Sequence, residues 1–441
     1  MANTPYRHRN NLIVLIGGLP LLAVIFALGV DKHLSADGAN YFTRVLETRG
    51  FTYIDWSRQF ASYISQSLLV VAVNLGVVSL PVLRAVFGAS MFVPWLLAFS
   101  LSLYALRRED KSVLLFFFFS MVCVNLTSDF ILVGEHHVMA LLCWPVLFLL
   151  MRKPAHRLSD IILMVALLSI FTRLYPTAIV PAALFLLVSL AQLFGPTTGK
   201  QKAVFLGTGI LSVTVIAFAS YSMLFPRNPG NMQQVYSAIS QTLLIPEAMA
   251  SISFLVFLVA GWFFKRNSIS WLALLPVAGY VFYVVKTGHS LSAFQSFDNR
   301  TLSLTLLPLL MLAAIAVKWK KRTANNATIV VSTVFVMVFV AANIFSTLQW
   351  SQYRSQMQAV LKQENGFVKI EATHLYQAPQ RWGWNNDQLS VIWSNGCVGT
   401  IIQNAEKVAW EPKGPPERFR LKNYSCYTAG FSRFDSELCT C

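Results

Sequence analysis

FASYISQSLLVVAVNLGVVSL, Phe60 to Leu80, decides how this chain is threaded. The segment is apolar enough for a membrane span, but Ser62, Ser65, Gln66, Ser67 and Asn74 interrupt it, Gly76 weakens it and Pro81 ends it. It reads as an interfacial or re-entrant helix pair that extends a first outer loop over 31–89. Counting it as a span would invert every later loop. Without it, apolar runs fall at Leu12 to Val30 and near 90–106, 112–126, 137–151, 159–172, 176–194, 203–224, 248–264, 270–285, 302–317 and 327–348, eleven in all. The connections on the side of Met1 then hold Arg107, Arg108 and Lys111, then Arg152, Lys153 and Arg157, then Lys200, Lys202, Lys265 and Arg266, and last Lys318, Lys320, Lys321 and Arg322. The opposing later loops hold only Arg173, Arg227, Lys286 and Arg300. This is the positive-inside pattern, and Arg7 and Arg9 ahead of the first run put the N-terminus in the cytoplasm. Runs 112–126 and 159–172 fall short of the ~20 residues that cross a ~30 Å hydrocarbon core, so they need burial in the bundle or shifted boundaries.

The composition agrees with a polytopic membrane protein: 55% of the 441 residues are hydrophobic, 12% are charged, and mean hydropathy is +0.56. The net charge of +16 is spread in short clusters between apolar runs, which argues for topology and against a nucleic-acid partner. Leu12 to Val30 exceeds a signal-peptide core and no A-x-A-like site follows it, so it reads as a retained first helix. Beyond Leu348 the chain turns polar, and an odd span count puts 349–441 outside. Four of the six cysteines lie there, Cys397, Cys426, Cys439 and Cys441, while Cys123 and Cys143 lie in spans. An even set in an exported domain suits disulfides, and a zinc site is the runner-up without a C-x-x-C pair.

Residues with chemistry gather in the outer loops. Just past the first run, SADGANYFTRVLETRGFTYIDWSR, Ser35 to Arg58, carries Asp37, Arg44, Glu47, Arg49, Asp55 and Arg58. The second outer loop, 127–136, brings Asp129, Glu135 and His136, with His137 following. Carboxylates and imidazoles at one membrane depth can move a proton, bind a metal or oppose a phosphate, although Glu135 also suits an ordinary first-turn acid and the histidines ordinary polar anchors. Arg173, in FTRLYPT beside Tyr175, is a cation at the edge of the apolar layer and needs an anion: a phosphate, or Glu135 or Asp129. Arg227, Lys286, His289, Asp298 and Arg300 face the same side, as a phosphate head group would require. In the tail, RWGWNNDQLS sets Trp382 and Trp384 beside Asn385, Asn386 and Asp387, the rings and amides that a sugar contacts and that small-domain cores also use. Walker, G-x-G-x-x-G, H-E-x-x-H and G-x-S-x-G motifs are absent, which argues against an ATP-driven pump and a serine hydrolase.

An acid in the first outer loop, amphipathic helices in that loop, an acid and His in the second, many spans and an exported C-terminal domain together resemble the C-type (GT-C) superfamily of membrane glycosyltransferases. The resemblance covers the whole chain through short motifs. It implies an all-α polytopic membrane protein of about 11 transmembrane helices, with residues 1–348 as catalytic module and a small extracytoplasmic domain at 349–441. It also implies transfer of a sugar from a polyprenyl-phosphate donor to a hydroxyl on a glycan or an exported protein such as a pilin, on the periplasmic face of a bacterial inner membrane. Asp37 matches the acid that serves as general base, and Glu135 and His136 loosely match the second-loop site. The family often pairs its loop-one acid. Here Gly38 follows Asp37, so Asp55 or the second loop would have to supply the partner. A divalent metal, if used, would sit among Asp37, Glu135 and His136, and no other cofactor is implied. Arg44, Arg58, Arg173 and Arg300 would hold the donor phosphate, and His136, His137, Tyr175, His289, Trp382, Trp384 and Asn385 would meet the substrates.

The chief rival is a transporter or flippase of a lipid-linked sugar, which would show internal repeats and ionisable groups at mid-depth; neither is visible. An O-acyltransferase would want a histidine inside a span, and none is evident. A cysteine placed just after Leu348 should therefore react with an impermeant maleimide from the outer face. Labelling from the cytoplasmic face alone would mean that Phe60 to Leu80 spans.

Overall fold

The computed structural model describes residues 4–35, 37–53, 55–77, 79–126, 135–152, 157–195, 198–225, 246–287, 298–363, 366–369, 375, 386–393 and 400–403. Among them six helices are long and apolar enough to cross a membrane: His8–Gly29, Leu80–Ala105, Pro176–Leu193, Gly199–Leu224, Leu302–Trp319 and Asn326–Gln363. Shorter apolar helices cover Lys111–Asn125, Glu135–Leu150, Leu158–Phe171 and Ala248–Phe264. The protein is thus a helical membrane protein. In chain order the helices used below are α1 (Thr4–Gly29), α2 (Asp37–Thr48), α3 (Gln59–Asn74), α4 (Leu80–Ala105), α5 (Leu114–Ser120), α6 (Glu135–Leu150), α7 (Leu158–Phe171), α8 (Ile179–Leu193), α9 (Gly199–Leu224), α10 (Pro246–Phe264), α11 (Asn267–Leu272), α12 (Leu274–Thr287), α13 (Asp298–Trp319), α14 (Asn326–Gln363) and α15 (Asn386–Trp393).

Runs 112–126 and 159–172 differ in surroundings. Every residue from Leu114 to Leu126 is buried, as is all of α6, so these inner helices meet protein on every side and need not match the lipid thickness. α7 does not share that shelter, with Leu158, Ile162 and Val165 exposed. Exposed apolar side chains on α1 and α9, among them Leu15, Leu22, Leu206 and Ile210, form the faces turned outward.

Several boundaries differ from the sequence reading. Phe60 to Leu80 is one helix, α3, followed by a turn at Gly76, whose φ of 81° suits glycine, and then the start of α4. Pro81 ends nothing; it occupies the first turn of α4, where its missing N–H costs no helical hydrogen bond. The fourth helix therefore begins ten residues earlier than 90–106 suggested. The run 270–285 is split between α11 and α12 at Ala273, because Pro276 cannot donate to the carbonyl four residues before it. The last apolar run continues through Leu348 to Gln363, burying Trp350, Tyr353 and Met357 at helical spacing. The tail also adds two short parallel strands, β1 (Gly366–Lys369) and β2 (Thr400–Gln403), with Gly366 opposite Thr400 and α15 in the crossover.

Polar groups collect at the two ends of the bundle. At the end that holds Arg9, the Arg9 guanidinium pairs with Asp110 at 2.5 Å, Asp160 takes Arg152 at 2.6 Å and Arg107 at 3.3 Å, and Lys318 pairs with Glu109. The opposite end opens with Asp31, held in the left-handed region at φ 60° and paired with Arg354 at 3.2 Å and Arg84 at 3.7 Å. Beside it Lys32 is fully buried and donates to Ser346 Oγ and Thr347 Oγ1, while the Trp350 indole donates to the Val30 carbonyl at 3.0 Å. α3 does not carry the chain to the Arg9 end. The Phe60 amide donates to the Arg173 carbonyl and the Asn74 side chain donates to the Arg49 carbonyl, both partners lying on the first-loop side.

His33 closes this second cluster. Its Nε2 lies 3.0 Å from the Arg84 carbonyl, and its ring fits over Gly88, where a Cβ would lie 3.1 Å from the imidazole. Burial pushes it down to about 4, against the raising pull of Asp31, with Arg84 and Arg354 adding to the depression. The unfolded chain takes up a proton below its ordinary pKa of 6.5, whereas the folded chain waits until about 4, so stability is full above 6.5 and is lost as the pH falls through that window. The loss reaches about 3 kcal/mol at 1.36 kcal/mol per unit. Thermal unfolding in detergent should weaken between pH 7 and 5, and His33→Gln, which retains an N–H for the Arg84 carbonyl, should flatten that slope.

Candidate active site

The candidate site lies at the first-loop end and is organised by Glu135, the first residue of α6. Its Oε1 accepts the Tyr41 hydroxyl at 2.5 Å, and its Oε2 lies 3.7 Å from the Arg58 guanidinium. Tyr41 comes from α2, one helical turn after Asp37, so the two share a helix face. Arg58 comes from the 3-10 turn Trp56–Arg58, which Asp55 caps by accepting the Ser57 amide at 2.9 Å. The Arg58 guanidinium also lies over the Tyr175 ring, 5.0 Å from its centre. Glu135, Tyr41, Arg58 and Tyr175 are each less than a tenth exposed.

Electrostatics follow from that burial. Desolvation raises the Tyr41 hydroxyl well above its ordinary range, and the charges of Glu135 and Asp37 raise it further, so it remains a donor. Burial alone would lower Arg58, but Tyr175, Glu135, Tyr41 and Asp55 outweigh it and hold the guanidinium firmly charged. His136 stands edge-on to Tyr175 at 5.8 Å and 4.0 Å from the His137 ring, and His137 Nδ1 meets Asn125 Oδ1 at 2.8 Å. Both histidines are buried in the first turn of α6, deeper than interfacial anchors would be.

Of the candidates read from the sequence, Asp37, Asp55, Arg58, Glu135, His136, His137 and Tyr175 come together here, with Asp37 half-buried at the start of α2. Arg58, read from the sequence as a phosphate ligand, lies beside the Glu135 carboxylate. Arg173 is half-buried close by and donates to Gln59 Oε1 at 2.8 Å, and no acid pairs with it among the described residues. Arg44 is exposed on α2 beside Glu47. His289, Trp382, Trp384, Asn385, Asp129 and the four tail cysteines lie outside the described residues, as does the Arg300 side chain. Among the described residues, no three His, Cys, Asp or Glu side chains are grouped to hold a metal.

Sequence reasoning missed Tyr41, Gln59 and Asn125. Only Tyr41 left a readable signal, its i+4 spacing from Asp37. It also missed that the tail reaches this end: the Tyr353 hydroxyl meets Asn386 at 2.5 Å and Gln388 lies 3.4 Å from Asn40 on α2. Trp56 extends the wall toward α9, with ring centres 5.9 Å from Tyr221 and 6.3 Å from Phe218. No family profile, curated protein or solved structure matches the chain.

Tyr41 and Arg58 satisfy one buried carboxylate, so their effects should not add. In a double-mutant cycle of Tyr41→Phe and Arg58→Gln followed by thermal unfolding, a coupling of about 0.5–3 kcal/mol is expected. Additive losses would show that the cluster is not one unit.

Proposed function

We propose that the protein is a membrane glycosyltransferase that moves a sugar from a polyprenyl-phosphate donor to an acceptor hydroxyl on the periplasmic face. The proposal includes eleven spans in a bacterial inner membrane, with the N-terminus cytoplasmic and the C-terminus periplasmic. The observation that carries it is the approach of the two loop acids, far apart in sequence: Glu135 accepts the Tyr41 hydroxyl, and Tyr41 stands one helical turn after Asp37 on α2. Asp37 takes the proton from the acceptor hydroxyl, whose oxygen bonds to the anomeric carbon. The sugar–phosphate C–O bond breaks, and the lipid phosphate leaves with the electron pair. Arg173 steadies that anion, and a phosphate that leaves already ionised needs no strong acid. Glu135 positions Tyr41 and with it the turn of α2 that carries Asp37. A flippase would place ionisable groups at mid-depth, whereas the described charges gather at the two ends.

Sugar transfer by the purified protein in lipid tests this. Asp37→Asn should retain the fold and donor binding while losing ~10² to 10⁴ in rate, about 3 to 5 kcal/mol of barrier. Arg173→Lys should weaken donor binding more than turnover, since it keeps the charge and loses the planar fork. Near-normal transfer by Asp37→Asn, with loss in Asp55→Asn or Glu135→Gln run alongside, would move the base to that residue. No transfer by the wild-type protein from any polyprenyl-phosphate sugar would remove the reading altogether.

A further inference from the structure

At the Arg9 end, remote from Asp37 and Glu135, the turns after α10 and α13 border an open recess of about 650 Å³. Its lining includes four cations, Arg9, Lys265, Lys321 and Arg322, and no acidic side chain. The acids nearby are already engaged, Asp110 with Arg9 and Glu109 with Lys318. Among the described residues Lys265, Lys321 and Arg322 have no acidic partner.

The backbone adds an independent observation. Lys265 and Lys321 both sit in the left-handed region, at φ 55° and 50°. Each ends its helix in the same way: the Arg266 amide donates back to the Gly261 carbonyl at 3.0 Å, and the Arg322 amide to the Val317 carbonyl at 3.1 Å. Glycine fills that position without strain, and this chain twice has lysine there. A lysine at a helix C-terminus gains from the macrodipole, but at an exposed end that gain is smaller than the left-handed strain. Both lysines border the same recess. On its wall the Trp262 indole N–H is buried with no hydrogen-bond partner, and so is Arg322 Nε. Asn325 donates to Asn267 across the two turns at 2.9 Å, tying them together.

We propose that this recess binds a phosphate-bearing anion at the depth where phospholipid head groups lie. Arg9 opens the first apolar helix and Trp262 closes another, positions typical of a membrane interface. Cations without acids, indole and amide donors, and a recess between helix ends suit a phosphodiester or phosphomonoester.

The test uses the full-length protein in phosphatidylcholine nanodiscs, titrated separately with phosphatidylglycerol, inorganic phosphate and glycerol 3-phosphate, with thermal unfolding and native mass spectrometry as readouts. Saturable stabilisation by phosphatidylglycerol alone supports a lipid head group. The same response to the soluble phosphates supports the site with a water-borne ester. Lys265→Gly combined with Lys321→Gly keeps the left-handed turns and removes both charges. Binding should weaken about tenfold or more, while unfolding without ligand stays level or rises. Arg322→Gln is a second probe, expected to weaken binding should the double variant fold poorly. Wild-type affinity in both variants, or no response of the wild type to any phosphate source, would overturn the proposal.

Discussion

The Glu135 carboxylate opens α6 among side chains almost wholly sealed from solvent, where an isolated ion would cost several kcal/mol. Tyr41 and Arg58 remove most of that cost, one through each oxygen. Each donor comes from a different part of the first loop, so satisfying the carboxylate also fixes where α2 and the Trp56–Arg58 turn lie against the bundle. Tyr175 then closes the arrangement from the start of α8 by taking the Arg58 guanidinium on its ring. Four chain segments are held by one buried charge.

The Asp31 cluster does a similar job a short way along the chain. Arg84 and Arg354 draw α4 and α14 to the end of α1, and Lys32 adds two hydroxyls of α14. Because α14 runs on to Gln363, the same helix that crosses the bundle supports α15, and α15 in turn touches α2 at Asn40. The tail is thus braced against the helix that carries Asp37, which explains why the apolar run ends at Leu348 although the helix does not.

Much of this was legible in the residues. Hydropathy gave the membrane class, and basic clusters gave the separation of Arg107, Arg152 and Lys318 from Asp37, Glu135 and Arg173, because charge cannot sit unpaired in the apolar layer. The helix boundaries were less legible because proline punctuates in two ways: Pro81 looked like a stop and is a start, while Pro276 splits a run that hydropathy alone cannot divide. The spacing of Trp350, Tyr353 and Met357 does carry the continuation of α14, in a segment whose polar composition hides it. The partners within the site were not legible. Arg58 and Arg173 are both cations near the same loop, and nothing local says that one meets Glu135 and the other Gln59; that choice is made by tertiary packing of α3 against α4 and α6.

The pairing also separates two acids that look alike in the sequence. Both Glu135 oxygens are engaged by donors from elsewhere in the chain, which suits a residue that positions. Asp37 stands at the first turn of α2, half-buried, with Gly38 beside it leaving the backbone approachable, which suits a residue that meets a substrate. The link between them is Tyr41, whose hydroxyl stays protonated because burial and both carboxylates oppose its ionisation. Removing the Glu135 charge would therefore disturb the placement of α2 through Tyr41. Under the proposed function, the second-loop acid supports the helix that carries the first-loop acid.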